Sequence, residues 1–394
     1  MKSRRWLSRL AAAWAAVFFL GAGFRALASC AGFGLPFTDL GTTAFCAQIA
    51  EAYYSGLSNG TSATAYSPTA SVPREQMAAF VTRTLDQSLS RGSRRAALAQ
   101  WWNSTPHFDQ SLGLTTVGTN PQLMASDGAD VWVANFAGTV SRVRASDGSV
   151  PQTWTGAENA TGVLVAMGRV FVTGEVSPGK LFMIDPSQPA GGAVTAVSTT
   201  VGGSPQGIAF DGNNIWTANF DGSVSIIVPG TWAVTTVPTG FMTPTGILFD
   251  GTNIWVTDRG DETLKKLNAN GSIAQSVAVG LNPNYPVFDG HNIWVPNVTG
   301  NSVSVVRASD GTVLKTFTTA GGNPAGLNEP SVAAFDGQRI LVTNANGGLS
   351  LFKATDLTVI AAVPVPGVSV PYGACSDGSG FWAGFESSGK IGRF

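Results

Sequence analysis

From residue 112 onward, apolar residues come in short runs broken at nearly regular intervals by Asp-Gly or other glycine-containing turns. The stretch from Phe210, FDGNNIWTANFDGSVSII, returns as FDGTNIWVTDRGDETLKKL from Phe249 and as FDGHNIWVPNVTGNSVSVV from Phe288. Each unit has an apolar strand ending in Asp-Gly and a second apolar strand carrying Trp and ending in Asn or Asp. A polar turn, an alternating Val/Ser strand and a Val/Thr-rich strand follow. Asp-Gly between two apolar runs marks a hairpin. A phrase repeated at fixed spacing signals an architecture before it signals a site.

The Asp-Gly anchors are Asp127, Asp211, Asp250, Asp289, Asp336 and Asp377. Their spacings are 84, 39, 39, 47 and 41 residues, so the first gap hides a unit. LVAMGRVFVTGE, from Leu164, fills it, with Met167-Gly168 in place of Asp-Gly and Phe171 in place of Trp. Seven units of four strands predict a seven-bladed β-propeller, and the fold class is mainly β. The last unit, from Pro371, supplies only three strands. LGLTTVGTNP, from Leu112, resembles VTTVPTGFMTP, from Val234, and is expected to be the missing fourth strand that closes the ring. Trp132, Trp216, Trp255, Trp294 and Trp382 recur at one position and are expected to pack blade on blade. Asn135, Asn219, Asn297 and Asn344 are expected to satisfy backbone groups in the turn after the second strand. The Asp of each Asp-Gly is expected to be a turn residue. On these repeats, residues 112–394 resemble the YVTN/NHL-like bacterial propellers, a resemblance that implies the fold and leaves function open.

Residues 36–90 carry a different period. Phe45, Ile49 and Ala52 share one helical face, with Ala50 and Tyr53 beside it, and Gly56 ends that helix. Pro73 starts a second helix striped by Met77, Phe80, Val81 and Leu85. The order of Phe37-Thr38-Asp39-Leu40, Ile49, Gly56-Leu57, Asn59-Gly60, Tyr66-Ser67-Pro68 and Val72-Pro73-Arg74-Glu75-Gln76-Met77-Ala78 resembles a single S-layer homology (SLH) motif, a small α-helical module. The resemblance implies a tether to cell-wall polysaccharide or a peptidoglycan-linked polymer. Its short "TRAE"-like binding stretch maps onto Arg74 and Glu75, and a guanidinium at a helix start suits an acidic group on a polymer. Such motifs usually come in threes, so one alone implies weak, multivalent attachment.

The N-terminus predicts export. Lys2, Arg4, Arg5 and Arg9 precede the apolar run from Leu10 to Leu20, and Ala26-Leu27-Ala28 is a cleavage signal, so residues 1–28 form a signal peptide. Leu27-Ala28-Ser29-Cys30 also resembles a lipobox, and Ser3-Arg4-Arg5 a twin-arginine signal. Cys30 and Cys46 can close a disulfide worth about 3 kcal/mol, an outcome that excludes lipidation of Cys30. Cys375 is expected to be a buried small residue. The expected domains are the module over 31–90, a linker over 91–111 with Arg91, Arg94, Arg95, Trp101 and Trp102, and the propeller over 112–394. No transmembrane helix is expected in the mature chain. The net charge of −1, with only 12% charged residues, argues against nucleic acid as a partner.

Function on a propeller is expected where the repeat breaks at the channel mouth. Glu175, Asp258, Arg259, Asp261, Glu262 and Glu386 stand at second-strand exits, where other blades have Asn, Phe or small residues. Gln122, Gln206, Tyr285, Glu329 and Tyr372 stand in the segments leading into first strands. With Asn297 they are the candidate face residues, and an unknown glycan or protein is the expected ligand. Glu175, Asp258, Asn297 and Glu386 come from different blades and, if convergent, would suit a divalent metal such as Ca²⁺. No cofactor is otherwise implied. The sequence shows no nucleophile beside a base, and neither His107 nor His291 lies at a strand exit. The leading expectation is therefore a non-catalytic recognition protein of the cell envelope. A metal-dependent, lactonase-like hydrolase or lyase and a structural surface-layer subunit are the alternatives.

Overall fold

A computed structural model describes residues 35–40, 49, 61–62, 64–71, 77, 114–188, 192–365 and 370–394. The chain divides into two units, Met1–Ser88 and Leu89–Phe394. Cys30, Cys46, Arg74, Glu75 and the expected linker lie outside the described residues, as do the two expected helices apart from Ile49 and Met77. Among the described residues no helix is long and apolar enough to cross a membrane.

The second unit holds seven antiparallel sheets of four strands, denoted blades 1 to 7 in chain order with strands a to d. Blade 1 starts at Pro121, blade 2 at Ala160, blade 3 at Pro205, blade 4 at Pro244, blade 6 at Pro330 and blade 7 at Pro371. Strand a of blade 5 is shortened to Val287–Phe288, and a bridge between Pro283 and Asn297 precedes it. The first strands of neighbouring blades lie against one another around the axis. Strand b is buried along its length, as in Ile215–Asn219 and Ile254–Asp258, whereas strand d alternates, as in Thr358–Val363. Continuous apolar runs and alternating ones mark these two environments in the sequence.

Blade 7 takes its fourth strand from the other end of the domain. Leu114–Thr116 pairs with Lys390–Arg393 in the register Leu114 with Gly392, Thr115 with Ile391 and Thr116 with Lys390. This is the closure expected from the orphan strand. The hidden unit is blade 2, where Met167 (φ 53°) and Gly168 (φ 67°) turn the chain with both central residues in the left-handed region.

Seven buried clusters occupy the seven blade interfaces. Trp132 packs on Val163, Val170 and Val172 of blade 2. Phe171 packs on Ile208 and Ile215 of blade 3. Trp216, Trp255 and Trp294 likewise meet Ile254, Ile293 and Ile340 of the next blade. Leu341 meets Phe381, and Trp382 returns to Val131 and Val133 of blade 1. The tryptophans are therefore inter-blade packing, each ring removing roughly 150–250 Å² from water.

The aspartates do more than turn the chain. Asp211 Oδ1 accepts the backbone N–H groups of Asn213 and Asn214 at 2.7 and 2.6 Å, and Oδ2 accepts the indole N–H of Trp216 at 2.7 Å. The indole bond recurs from Trp132, Trp255, Trp294 and Trp382 to Asp127, Asp250, Asp289 and Asp377 at 3.0, 2.7, 2.8 and 2.9 Å. Burial alone would raise the Asp211 carboxyl, but the Asn214 N–H, the Trp216 indole and the Asn213 N–H together hold it below the ordinary value. Blade 6 has Leu341 in place of Trp, and Asp336 Oδ2 instead takes Arg339 Nε at 2.8 Å.

The recurrent asparagines bond differently from expectation. Asn219 Nδ2 donates to the hydroxyls of Ser223 and Ser225, both at 3.0 Å. Asn135 and Asn297 likewise bond side chains of strand c, and Asn344 divides its donors between Ser350 Oγ and the Gly348 carbonyl. These amides mainly lace strand b to hydroxyls on strand c, because the period-2 alternation of strand c points Ser inward at that level. Blade 4 replaces the pair by ions. Asp258 stands in the Asn place and Lys265 in the Ser place, with Nζ 2.6 Å from Asp258 Oδ2 and both residues buried. Asp258 also accepts the N–H groups of Met242 and Thr243 at 2.8 Å, and Lys265 also bonds Asp261 and the Gly240 carbonyl.

In the first unit, Asp39 accepts the backbone N–H groups of Tyr66 and Ser67 at 2.8 and 2.7 Å. Phe37 and Tyr66 meet with ring centroids 5.2 Å apart, over a small core of Phe37, Leu40 and Ile49.

Candidate functional site

The candidate site grows from an irregularity in strand a. In blade 3, Pro205 pairs with Asn219 and Ile208 with Thr217, so Gln206-Gly207 bulges against the single residue Ala218. Blades 1, 2, 4, 6 and 7 have the same break. A bulge re-aims side chains. Its first position carries Gln122, Thr161, Gln206, Thr245, Ser331 and Tyr372, with Asn284 at the matching place in blade 5. The second is Gly in four blades, because the next blade's backbone is too close for a side chain. A Cβ on Gly162 would stand 2.3 Å from the Gln206 carbonyl oxygen, and one on Gly373 2.0 Å from that of Gln122.

Blades 1, 5 and 6 carry Leu123, Tyr285 and Val332 there instead, and Tyr285 builds the site. Tyr285 stands where those four blades have Gly, and it is 5% exposed. Its hydroxyl donates to Gln206 Oε1 of blade 3 at 2.7 Å, two blades away. Its ring meets that of Tyr372 of blade 7 edge-on, with centroids 6.1 Å apart. Leu123 and Tyr372 pack against the same cluster. One side chain thus spans from blade 5 toward blades 3 and 7.

Two carboxylates complete the network. Glu175 accepts Gln206 Nε2 at 3.1 Å and Thr161 Oγ1 at 3.0 Å, and Glu386 accepts Gln122 Nε2 at 3.1 Å. Burial raises the Glu175 carboxyl above its ordinary value, against the lowering effect of Thr161 and Gln206. Burial also drives the Tyr285 hydroxyl well above its usual range; Tyr372 and Glu175 add to the rise and Arg259 opposes it. Arg259 of blade 4 donates to Asn282 Oδ1 at 3.2 Å and stands 5.9 Å from the centre of the Phe220 ring.

The structure thus joins Glu175, Gln206, Tyr285 and Tyr372 in a chain of contacts and Gln122 with Glu386 in a second pair, with the charges of Glu386 and Arg259 both felt at Tyr372. Asp258 and Asn297 do not join it: their side chains are spent inside blades 4 and 5. Glu329 links blades 5 and 6 through its backbone, its N–H donating to Asn301 Oδ1 at 2.7 Å. Gln122, Gln206 and Tyr372 lie within strand a rather than in loops ahead of it. Thr161, which bonds Glu175, and Asn282, which bonds Arg259, were not singled out by sequence. Thr161 carries a signal, the position after the residue that opens each blade, visible once the repeats are aligned. Among the described residues no group of three His, Cys, Asp or Glu side chains is placed to hold a metal ion. The four residues considered for a metal are not brought together.

No protein-family model matches the chain, and no curated protein matches it. Solved structures do. A catalytically inactive histidine-to-alanine variant of virginiamycin B lyase from Staphylococcus aureus, with quinupristin, is 18% identical with a TM-score of 0.58, covering 72% of this chain and 97% of that one. Kuenenia stuttgartiensis hydrazine synthase is 14% identical with a TM-score of 0.59, covering 74% and 98%. The Cps50 (Swd1) β-propeller domain of Myceliophteria thermophila is 10% identical with a TM-score of 0.57, covering 70% and 96%. At such identities the likeness is one of fold, and the chain is a seven-bladed β-propeller with distant neighbours that include a lyase.

Proposed function

We propose that this chain is an exported cell-envelope protein that recognises a ligand at the channel mouth of its propeller without catalysing a reaction. The observation that carries the reading is the network itself. Side chains from blades 2, 3, 5 and 7 meet there, at the one place where glycine gives way to a tyrosine that crosses between blades. Convergent polar groups beside aromatic faces suit a polar ligand such as a glycan or peptide. A glycan and peptide array probed with the full chain and with Tyr372→Ala tests this. Binding by the wild type that the variant loses supports the reading, and equal binding by both overturns it.

The first unit is read as the SLH module. The two halves of its motif, Phe37-Thr38-Asp39-Leu40 and Tyr66-Ser67-Pro68, meet through the Asp39 bonds and the Phe37–Tyr66 contact, which supports the module's integrity. Retention on purified cell wall, compared between the full chain and Arg74→Ala, tests the tether. Equal retention of both removes Arg74 from the account, and retention of neither removes the tether.

One observation favours catalysis as a second reading: the raised carboxyl of Glu175 is what a general acid or base needs. The lyase neighbour is inactive when a histidine becomes alanine. His291 of this chain sits in an exposed a–b turn with its N–H on Asp289, and His107 lies outside the described residues. Lactone- or lyase-type turnover abolished by Glu175→Gln would replace recognition with catalysis.

A further inference from the structure

The blade interfaces are alike in their packing but not in their hydrogen bonds. In blades 2, 4 and 6 a threonine stands two places after the interface residue of strand b: Thr173, Thr257 and Thr343, all fully buried. Each hydroxyl works in two directions. It accepts a bulge N–H of its own blade, from Gly162, Gly246 and Val332 at 2.7, 2.9 and 3.1 Å. It donates to a bulge carbonyl of the next blade, that of Gln206, Asn284 and Tyr372 at 3.0, 2.8 and 2.6 Å. Blades 2 and 3, 4 and 5, and 6 and 7 are thus latched together beside the axis.

The odd-numbered blades carry Ala134, Ala218, Pro296 and Gly384 at this place, so they offer no hydroxyl. Three of their interfaces are bonded by other means. Blades 5 and 6 join through main chain: the Tyr285 N–H donates to the Ser331 carbonyl at 3.2 Å, and the Ala333 N–H to the Tyr285 carbonyl at 3.1 Å. Blades 1 and 2 meet where the Thr155 carbonyl accepts the Val194 N–H at 2.9 Å. Blades 7 and 1 share the Gln122–Glu386 bond and a bond from Thr115 Oγ1 to the Gly148 carbonyl at 2.7 Å.

Blades 3 and 4 are the exception. Among the described residues no hydrogen bond joins the strands of one to those of the other. Thr217 stands nearby but turns its hydroxyl to Asn219 of its own strand at 2.8 Å. What remains is the apolar packing of Trp216 and Ala218 with Ile247 and Val256, and the Arg259 guanidinium 5.9 Å from the centre of the Phe220 ring. One bond spans this seam from elsewhere. The Tyr285 hydroxyl of blade 5 reaches Gln206 of blade 3 and skips blade 4. Glu175 holds the other end of the Gln206 amide, so that Oε1 stays turned to the tyrosine. A single O–H thus ties the bonded arc of blades 4 to 7 to the latched pair of blades 2 and 3.

We propose that the propeller opens first between blades 3 and 4, and that the Tyr285 hydroxyl is the clasp that holds this seam shut. The stability of an array of repeats is set by each repeat and by its contacts with its neighbours. Partial opening starts where those contacts are fewest. Apolar side chains fill every interface, so the hydrogen bonds make the difference between them. The inference is separate from the recognition reading and needs no ligand.

Thiol labelling of the full chain tests this, read by peptide mapping so that Cys30, Cys46 and Cys375 are told apart from the probe. Ala218→Cys and Ala134→Cys put a thiol at the same buried place in blades 3 and 1. Each rate is taken relative to the same thiol in denaturant. Position 218 is expected to label faster than position 134. Adding Tyr285→Phe removes the hydroxyl and keeps the ring. It is expected to raise labelling at 218 roughly two- to tenfold, the range for one buried neutral hydrogen bond, and to leave 134 unchanged. Hydrogen exchange of the unsubstituted chain adds a comparison that needs no variant to fold: Ile215–Asn219 of blade 3 is expected to exchange sooner than Arg339–Asn344 of blade 6. Labelling at 218 no faster than at 134, or exchange in blade 3 no sooner than in blade 6, overturns the seam. A Tyr285→Phe effect that is absent, or equal at both positions, overturns the clasp.

Discussion

The two ends of each blade follow opposite rules. At the a–b turn, five of seven blades carry the same Asp-Gly and the same indole bond, spaced as Asp-Gly-x-x-x-Trp. At the other end, the seven residues that follow strand b are Phe136, Glu175, Phe220, Arg259, Val298, Ala345 and Glu386, and few are alike. What repeats holds blade to blade, where every interface poses the same packing problem. What varies lies at the opposite end, after strand b, where no packing rule repeats from blade to blade. Blade 4 shows the cost of leaving the rule, since its Asn–Ser lacing becomes a buried Asp258–Lys265 pair.

The contrast can be broken at its root by removing the closing strand. Deleting residues 114–116 uncovers the edge of Lys390–Arg393 and is expected to abolish cooperative unfolding and cause self-association, read by light scattering and denaturant titration. Next comes the repeated end. Trp216→Ala is expected to cost about 3–5 kcal/mol in denaturant unfolding, while Tyr372→Ala, at a partly buried position, costs less. Asp258→Ala strands the buried Lys265 and is expected to cost about 3 kcal/mol or more. Asp258→Asn with Lys265→Ser restores the lacing of the other blades and recovers most of that loss; a double variant as unstable as the single one would show that blade 4 needs its charges.

The smallest effect separates the ends by pH. Burial raises the Glu175 carboxyl, so the folded protein binds that proton more tightly than the unfolded chain. Its contribution therefore falls as pH rises from the ordinary glutamate value through the raised one. Asp211 and Asp250 are held below their ordinary value, so their contribution is lost as pH falls through it. Glu175→Gln is expected to leave the melting temperature near neutral pH unchanged or slightly higher and to flatten the first slope alone. Thermal unfolding across about pH 3 to 8 reads both.

Blade number, the degenerate second blade, the borrowed strand and the packing role of the tryptophans were legible in the sequence, because each follows from local periodicity repeated seven times. The indole bond was legible in principle, since Asp and Trp keep a constant separation of five. The candidate site was legible only in part. Gln122, Glu175, Gln206, Tyr285, Tyr372 and Glu386 stood out as breaks in the repeat, but so did Asp258, which the structure spends on Lys265. A break seen in one strand does not reveal which neighbour answers it.

The sequence by itself determined the repeating element: strands, turns, and an apolar residue at each interface, all set by contacts between residues near in the chain. Tertiary structure alone decided that residues 206, 285 and 372 touch, that Asp258 turns inward, and that Glu175, Glu386 and Arg259 keep no ionic partner among the described residues. Ring closure is the reason. It brings first strands from all around the circle to one axis, where distance along the chain no longer governs distance in space.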